Sequence, residues 1–354
     1  MFWSHMGFFH QAVATGLSDD AGAARPANNL PSILQPGMAG LRCLVLGAGG
    51  FLGQALAAAL QESGADVQGY GRIAAPSGPS KLAWVPAAFE DAAALASALR
   101  GQDVVFHLLG SSLPHSSNRD PAGDVSRTVV STLHLLDLCR AAKVRRVVFA
   151  SSGGTVYGIP SQVPTPEDAP TAPISAYGIN KLMIERYLHL YEHLHGLEHQ
   201  VLRIGNPYGP GQSPFRPQGV IAAMMHAALF GQALAMWGTG EVTRDFIHVD
   251  DVSQAFIAAA LYDGPHRIMN VGSGQGRSLN VVARDVAAAA GRPGLAMVHT
   301  SARAADVPIS VLNTELIREE TGWQPRVDWA NGLAGTAAWM QTACEVTAPS
   351  RVLA

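Results

Sequence analysis

Tyr177 and Lys181 stand four residues apart in Ile174-Ser175-Ala176-Tyr177-Gly178-Ile179-Asn180-Lys181. On a helix that spacing puts both on one face, so a phenol and an ammonium address the same space. A tyrosine at its ordinary pKa of about 10 is a poor base near neutrality. A neighbouring lysine stabilises the phenolate and is expected to move that pKa toward the working range, making the pair a candidate general base. Ser175 is placed to cap the helix. By itself Y-x-x-x-K also describes an amphipathic surface pair, so the surrounding elements have to decide.

The first such element is near the start. Leu41–Leu46 is an apolar run of strand length, followed by Gly47-Ala48-Gly49-Gly50-Phe51-Leu52-Gly53 and an alanine-rich helix predicted over Gln54–Ser63. The spacing G-x-x-G-x-x-G differs from the usual dinucleotide fingerprint G-x-G-x-x-G, but the physics is shared. Glycines let the backbone approach a pyrophosphate lying on the positive end of the next helix. A second strand is predicted over Val67–Tyr70. Sites that prefer NAD usually place an acid after it, for the ribose hydroxyls. Here Gly71-Arg72 follows; an arginine suits a 2′-phosphate, so NADP stays open beside NAD.

Strand and helix patterns go on alternating: strand 82–85, helix 91–99, strand 103–109 ending at Gly110-Ser111-Ser112, a long helix 125–142, strand 146–150. This predicts the α/β class, with a doubly wound parallel sheet covered by helices. The last strand runs into Ser151-Ser152-Gly153-Gly154-Thr155-Val156-Tyr157-Gly158, hydroxyls at a strand's carboxyl end, where open α/β sheets put their chemistry. A proline-rich loop then leads to the tyrosine helix, and Gly205-Asn206-Pro207-Tyr208-Gly209-Pro210-Gly211 follows the strand 201–204. The expected organisation is a flexible extension over 1–38, a dinucleotide-binding domain over 39–205 to which later segments return, a smaller α/β substrate region over 206–342, and a tail over 343–354. Met38 reads as an alternative start.

Composition excludes several classes. The net charge is −3, without a basic run, so neither nucleic acid nor an anionic membrane surface is an expected partner. There is no stretch of about 20 apolar residues, hence no expected membrane span. Cys43, Cys139 and Cys344 are far apart and outside any C-x-x-C, which predicts reduced, structural thiols and a cytoplasmic setting.

Taken together, the motifs resemble the extended short-chain dehydrogenase/reductases, and among them the nucleotide-sugar epimerases of the UDP-galactose 4-epimerase type. Beyond those already quoted, the resemblance rests on Gly238-Thr239-Gly240, Arg244-Asp245-Phe246-Ile247-His248-Val249-Asp250-Asp251, Asn270-Val271-Gly272-Ser273-Gly274, Arg303-Ala304-Ala305-Asp306 and Gly322-Trp323-Gln324-Pro325. It covers about Leu41 to Met340 and implies a Rossmann-like fold. By resemblance, Gly47, Gly50, Phe51 and Leu52 hold the cofactor pyrophosphate. Leu109 and Gly110 lie along the cofactor, with Ser151, Ile204 and Arg72 counted among its contacts. Lys181 binds the nicotinamide ribose and tunes Tyr177, the base. Asn206, Arg244 and Arg303 hold the substrate diphosphate, Asp306 lies near its nucleoside, and Gln218-Gly219-Val220 forms a loop over it. Guanidinium forks suit phosphate oxygens.

The chain departs from the family pattern in places that bear on chemistry. The usual Ser or Thr partner of the sugar falls at Gly153, which leaves Ser152 or Thr155 as the substitute. The acid ending the second strand is missing, and an Asp-Leu that commonly meets adenine appears as Ala88-Phe89. The Asp-Glu pair of 4,6-dehydratases is absent at Gly153-Gly154, which favours epimerisation. Ser310 stands where bulk excludes 2-acetamido sugars in some relatives; a serine leaves room. His189, His193, His195 and His199 invite a metal reading, but no H-E-x-x-H accompanies them. They read as an exposed histidine-rich helix, and no metal is expected. Resemblance implies a homodimer through the helices around 125–142 and 176–195. The implied function is NAD-dependent C4 epimerisation of a UDP-sugar through a transient 4-keto intermediate. The alternatives are a reductase with NADPH, a dehydratase, a decarboxylase or a non-catalytic nucleotide-binding member.

Overall fold

The computed structural model describes residues 37–72, 82–110, 117–216, 218–300 and 307–347. The expected extension over 1–38, except for its last two residues, lies outside them, as do Ser111, Ser112, Arg303 and Asp306. The first six strands are β1 (Arg42–Leu46), β2 (Asp66–Gly71), β3 (Ala83–Pro86), β4 (Val104–His107), β5 (Arg146–Ser152) and β6 (Glu198–Ile204). The later ones are β7 (Asn206–Tyr208), β8 (Leu234–Trp237), β9 (Thr243–His248), β10 (Ile268–Val271), β11 (Gly276–Ser278), β12 (Met297–Thr300) and β13 (Ile309–Ser310).

The main sheet has seven strands in the order β10-β6-β5-β4-β1-β2-β3, all parallel. Its central strands are buried on both faces, the reason β1, β4 and β5 read as largely apolar runs, while β6 also buries the polar His199, Gln200 and Arg203. Cys43 and Val45 point into a core roofed by the helices Phe51–Glu62 and Val249–Leu261. Leu44 and Leu46 point into the opposite core, under the helices Ala92–Ala98, Ser131–Ala142 and Ala176–His195. The chain winds outward in one direction from β1 and in the other from β4, so the switch point lies between them. In such sheets ligands bind at the strands' carboxyl ends, beside that point.

After β6 most of the chain builds a second layer. β7, β9, β11 and β13 form a small sheet, β8 pairs with β12, and the helices Val220–Leu229, Leu279–Ala289 and Trp329–Thr347 enclose a separate core around Met225, Val282 and Leu333. β10 returns to the main sheet.

Three local expectations are corrected. The first helix begins at Phe51, directly on the glycine turn. The long helix expected over 125–142 is divided into Pro121–Val125, a π-helical turn Ser126–Val130 and Ser131–Ala142. Within that π turn the Ser131 hydroxyl donates to the Ser126 carbonyl at 3.4 Å, across five residues. The last helix continues through Thr347 and buries Ala343, because its apolar face packs on the second core.

Candidate active site

The glycine turn follows from sterics. Gly47 has φ +89°, a left-handed conformation open to glycine at little cost. A Cβ on Gly53 would lie 2.1 Å from the Gly47 carbonyl oxygen and 2.7 Å from Ala48 Cα, so only glycine lets the helix sit this close to the end of β1. Gly50 caps the helix without a side-chain acceptor. The first-turn N–H groups of Phe51 and Leu52 therefore face outward with the positive end of the helix, a cradle for an anionic phosphate. Leu109 abuts the turn, 3.3 Å from where a Gly47 Cβ would stand, and Gly110 is exposed beyond it. At the end of β2 Gly71 lies under the Trp84 ring and Arg72 is exposed. The residues at the turn fit a dinucleotide pyrophosphate.

Across the switch point the tyrosine helix is anchored at its start. The Ser175 hydroxyl accepts from the Gly178 N–H at 3.2 Å, while Ser117 and Asn118 accept from the backbone N–H groups of Tyr177 and Ala176 at 3.0 and 2.8 Å. Tyr177 is half-buried, with the Ser152 side chain beside its phenol. Lys181 is buried; its Nζ donates to the Ala150 carbonyl at 2.7 Å and lies 5.6 Å from the centre of the Tyr177 ring. Burial pushes the Tyr177 phenol up to about 12, the Ser152 side chain opposes this, and the Asp124 carboxylate adds to it. Burial brings the Lys181 ammonium down to about 8, against the charges of Glu185 and Asp124. The expected lowering of the tyrosine by its lysine is thus not found, because desolvation of the phenolate dominates.

Thr155 donates to the Ser152 carbonyl at 3.4 Å. Ser152 stands in register with Ile204, whose side chain is buried. The Ser151 hydroxyl turns the other way and donates to the buried Glu185 carboxylate. The departure at Gly153 has a steric cause: a Cβ there would meet Leu312 Cδ1 at 2.6 Å and the Arg203 carbonyl oxygen at 3.1 Å. Leu312 occupies the room a serine or threonine would need.

Behind these residues lies a buried network that sequence reading missed. Arg203 pairs with Glu185 at 2.7 Å and donates to the Tyr157 hydroxyl at 2.9 Å. Tyr157 in turn donates to Asn270 Oδ1 at 2.8 Å. Asn180 donates to Asp124 at 2.8 Å, which places that carboxylate beside both Tyr177 and Lys181. Glu185 lies four residues after Lys181, on the same helix face, and that spacing was the available signal. Arg203 had none, and Asn270 stood in a motif without an assigned role, since only the pairing of β6 and β10 brings the two together.

The small sheet gathers several of the substrate-side residues. Asn206 on β7 donates to the Asp245 carbonyl at 3.2 Å, and Arg244 on β9 donates to the Val307 carbonyl at 2.6 Å. Ser310 on β13 is paired in register with Arg244, and its Oγ lies 3.9 Å from where a Gly154 Cβ would stand. The buried Asp245 carboxylate accepts from the N–H groups of Ser273, Gly274 and Leu312 at 2.7 to 3.2 Å, which holds the sheet against the loop after β10. Gln218 is exposed. Gly219, with φ +102°, packs on the Gln212 amide and opens the helix Val220–Leu229.

Known proteins share this fold. The chain is 35% identical over 311 residues to a UDP-glucose 4-epimerase of Mycolicibacterium smegmatis, covering 85% of this chain and 99% of that one. The crystal structure of a Thermotoga maritima UDP-glucose 4-epimerase with UDP-glucose matches with a TM-score of 0.81 at 31% identity, over 86% of this chain and all of that one. A Thermus thermophilus UDP-glucose 4-epimerase in complex with NAD matches with a TM-score of 0.79 at 30% identity, over 85% and 99% of the two chains. Residues 43–272 match the model of the NAD-dependent epimerase/dehydratase family, and to that family the chain belongs.

Proposed function

We propose that this protein is an NAD-dependent epimerase that inverts C4 of a UDP-sugar. The observation that carries the reading is the Tyr177 phenol, beside Ser152 and with the Lys181 ammonium nearby, set across the sheet's switch point from the glycine turn at Gly47, Gly50 and Gly53. The relatives named for UDP-glucose 4-epimerisation, one of them with NAD, support the choice of substrate class and cofactor.

In this reading Phe51 and Leu52 N–H groups hold the pyrophosphate, and Leu109, Gly110 and Ile204 line the path of the cofactor. NAD, when bound, supplies a positively charged ring that accepts a hydride from the sugar and returns it. Tyr177 takes the proton of the sugar 4-hydroxyl and later gives it back. At neutral pH its high pKa keeps the phenol protonated, so the base is generated only when positive charge is gathered around it. Lys181, below its pKa of about 8 and therefore charged at pH 7, contributes that charge. Ser152 holds the phenolic oxygen and takes the part usually played by the residue at Gly153. Thr155, bound to the Ser152 carbonyl, positions that segment. Asn206 and Arg244, with Arg303, hold the diphosphate; Asp306 and Gln218-Gly219-Val220 lie toward the nucleoside. Ser310 and Gly154 are both small and leave room for a 2-acetamido group.

The test uses purified protein without added cofactor, given UDP-glucose, UDP-N-acetylglucosamine and UDP-glucuronate separately, with the sugar protons followed by NMR. A C4 epimer is expected from at least one, and none from Tyr177→Phe, which should stay folded. A Tyr177→Phe variant with unchanged turnover would sink the assignment of the base. Arg72 and the absent acid after β2 favour one second reading, an NADPH-dependent reductase; it would show as stoichiometric cofactor consumption.

We also propose a homodimer working in the cytoplasm. Ile179, Leu190 and Leu194 are large, apolar and exposed on the tyrosine helix, with Val130 exposed on the π turn before its neighbouring helix. Among the described residues no helix is long and apolar enough to cross a membrane, and Cys43 and Cys139 are free and buried. Sedimentation should give twice the chain mass, and Leu190→Glu should give the monomer.

A further inference from the structure

The sequence grouped His189, His193, His195 and His199 as one exposed helix, and the structure corrects this. The helix ends at His195, capped by Gly196 with φ +68°, and the chain turns back so that His199 enters the sheet on β6. His199 is 2% exposed. It returns beside His189 and Glu192, one turn apart on the helix, and one ligating atom from each of the three lies within 4.8 Å of the others.

His199 sits against Glu192 without a well-formed hydrogen bond between them. His199 Nδ1 is buried and faces Glu192 Oε2 at 3.1 Å, yet it makes no hydrogen bond. A buried imidazole nitrogen left unsatisfied beside a carboxylate is costly. The other carboxylate oxygen of Glu192 accepts from Arg267 Nε at 2.8 Å, which fixes the group and leaves Oε2 directed at His199.

We propose that His189, Glu192 and His199 form a binding site for a divalent transition-metal ion of the zinc type. Two imidazoles and one carboxylate suit zinc, nickel or cobalt; magnesium and calcium want an all-oxygen set. Bonds of about 2.0–2.2 Å place tetrahedral ligand atoms roughly 3.3–3.5 Å apart. His199 and Glu192 are already close to that separation. His189 is exposed and closes the remainder by a rotamer change. Three protein ligands leave the fourth position to water, and entry is through a cavity of about 650 Å³ that His189 and His199 line together with Arg186, His266 and Arg267. Arg186 and Arg267 share that lining with the carboxylates of Glu167, Asp168 and Glu185, so the local charges do not oppose a cation.

Bound there, the ion ties the tyrosine helix to β6. Glu192 is roughly 16 Å along the helix from Lys181 at 1.5 Å per residue. The expected effect is therefore on stability, and the proposal stands apart from the reading of the active site.

The test is a calorimetric titration of EDTA-stripped full-length protein with zinc chloride, together with melting curves in zinc and in magnesium. One zinc per chain in the micromolar range or tighter is expected, with a rise in Tm that magnesium does not give. His189→Ala, at an exposed position, should weaken zinc binding by about tenfold or more without changing the metal-free Tm. His193→Ala, on the same helix but outside the cluster, should bind as the parent does. Equal losses in the two variants would mean only that surface histidines gather zinc, and would overturn the site. So would the lack of a saturable one-to-one isotherm in the parent protein.

Discussion

Placing a hydroxyl at Gly153 is the sharpest test of how this site is built. The substitution Gly153→Ser adds a Cβ that would lie 2.6 and 2.9 Å from the two Leu312 methyls and 3.1 Å from the Arg203 carbonyl oxygen. The methyls can rotate, but Leu312 is 1% exposed and packed against Val156 and Tyr157. The Arg203 carbonyl belongs to β6 and does not give. Overpacking of this kind costs about 1–3 kcal/mol. Replacing a glycine at the start of the short helix Gly153–Val156 returns at most about 1 kcal/mol. A net loss of about 1–2 kcal/mol is therefore expected from urea unfolding, with turnover unimproved because Ser152 already holds Tyr177. Leu312→Ala alone should cost about 2–5 kcal/mol. The double variant should fall short of the summed losses by about 1 kcal/mol or more, since the new side chain enters the space that Leu312 vacates. Strictly additive losses would refute the steric argument. A gain in turnover for Gly153→Ser would refute the assignment of Ser152.

Other consequences are equally concrete. Glu185→Gln removes the partner of the buried Arg203 guanidinium, and breaking such a pair costs about 3–5 kcal/mol; a loss below about 1 kcal/mol in chemical denaturation would mean the pair is solvated. His107 is buried between the Phe89 and Phe149 rings, and burial, aided by the Lys181 charge, lowers its pKa from 6.5 to about 3. The unfolded chain takes up this proton below pH 6.5 and the folded chain does not, so stability present above 6.5 is lost as pH falls toward 3. By pH 5 this single group should account for roughly 2 kcal/mol at about 1.4 kcal/mol per pH unit. His107→Phe, which keeps the stacking, should flatten the acid limb of the denaturation profile; an unchanged slope would remove His107 as its source. Gly53→Ala puts a methyl 2.1 Å from the Gly47 carbonyl oxygen, so the protein should purify with little NAD, read by cofactor release on denaturation. Full cofactor content in that variant would contradict the glycine-turn assignment.

The elements with local signals were legible in the chain itself. The strand–glycine–helix succession at Leu41–Gly53, the Ser175 cap and the one-face pair Tyr177 and Lys181 all depend on short-range geometry, and the structure has each of them, with the first helix starting at Phe51, three residues earlier than expected. The continuous apolar strands announced a parallel sheet because burial on both faces leaves no polar side to alternate with. Tertiary structure decided what depends on distant residues. The pKa of Tyr177 is set by desolvation, which no spacing reveals. The reason for Gly153 is Leu312, far along the sequence and brought there when β13 joins β9. Arg203, Asn270 and Glu185 meet only because β5, β6 and β10 pair side by side under the tyrosine helix. His199 looked like one more histidine of an exposed helix until the turn at Gly196 carried it into the sheet. Local sequence sets the conformation of the chain near each residue; which charges and walls a side chain then meets is fixed by contacts between segments far apart.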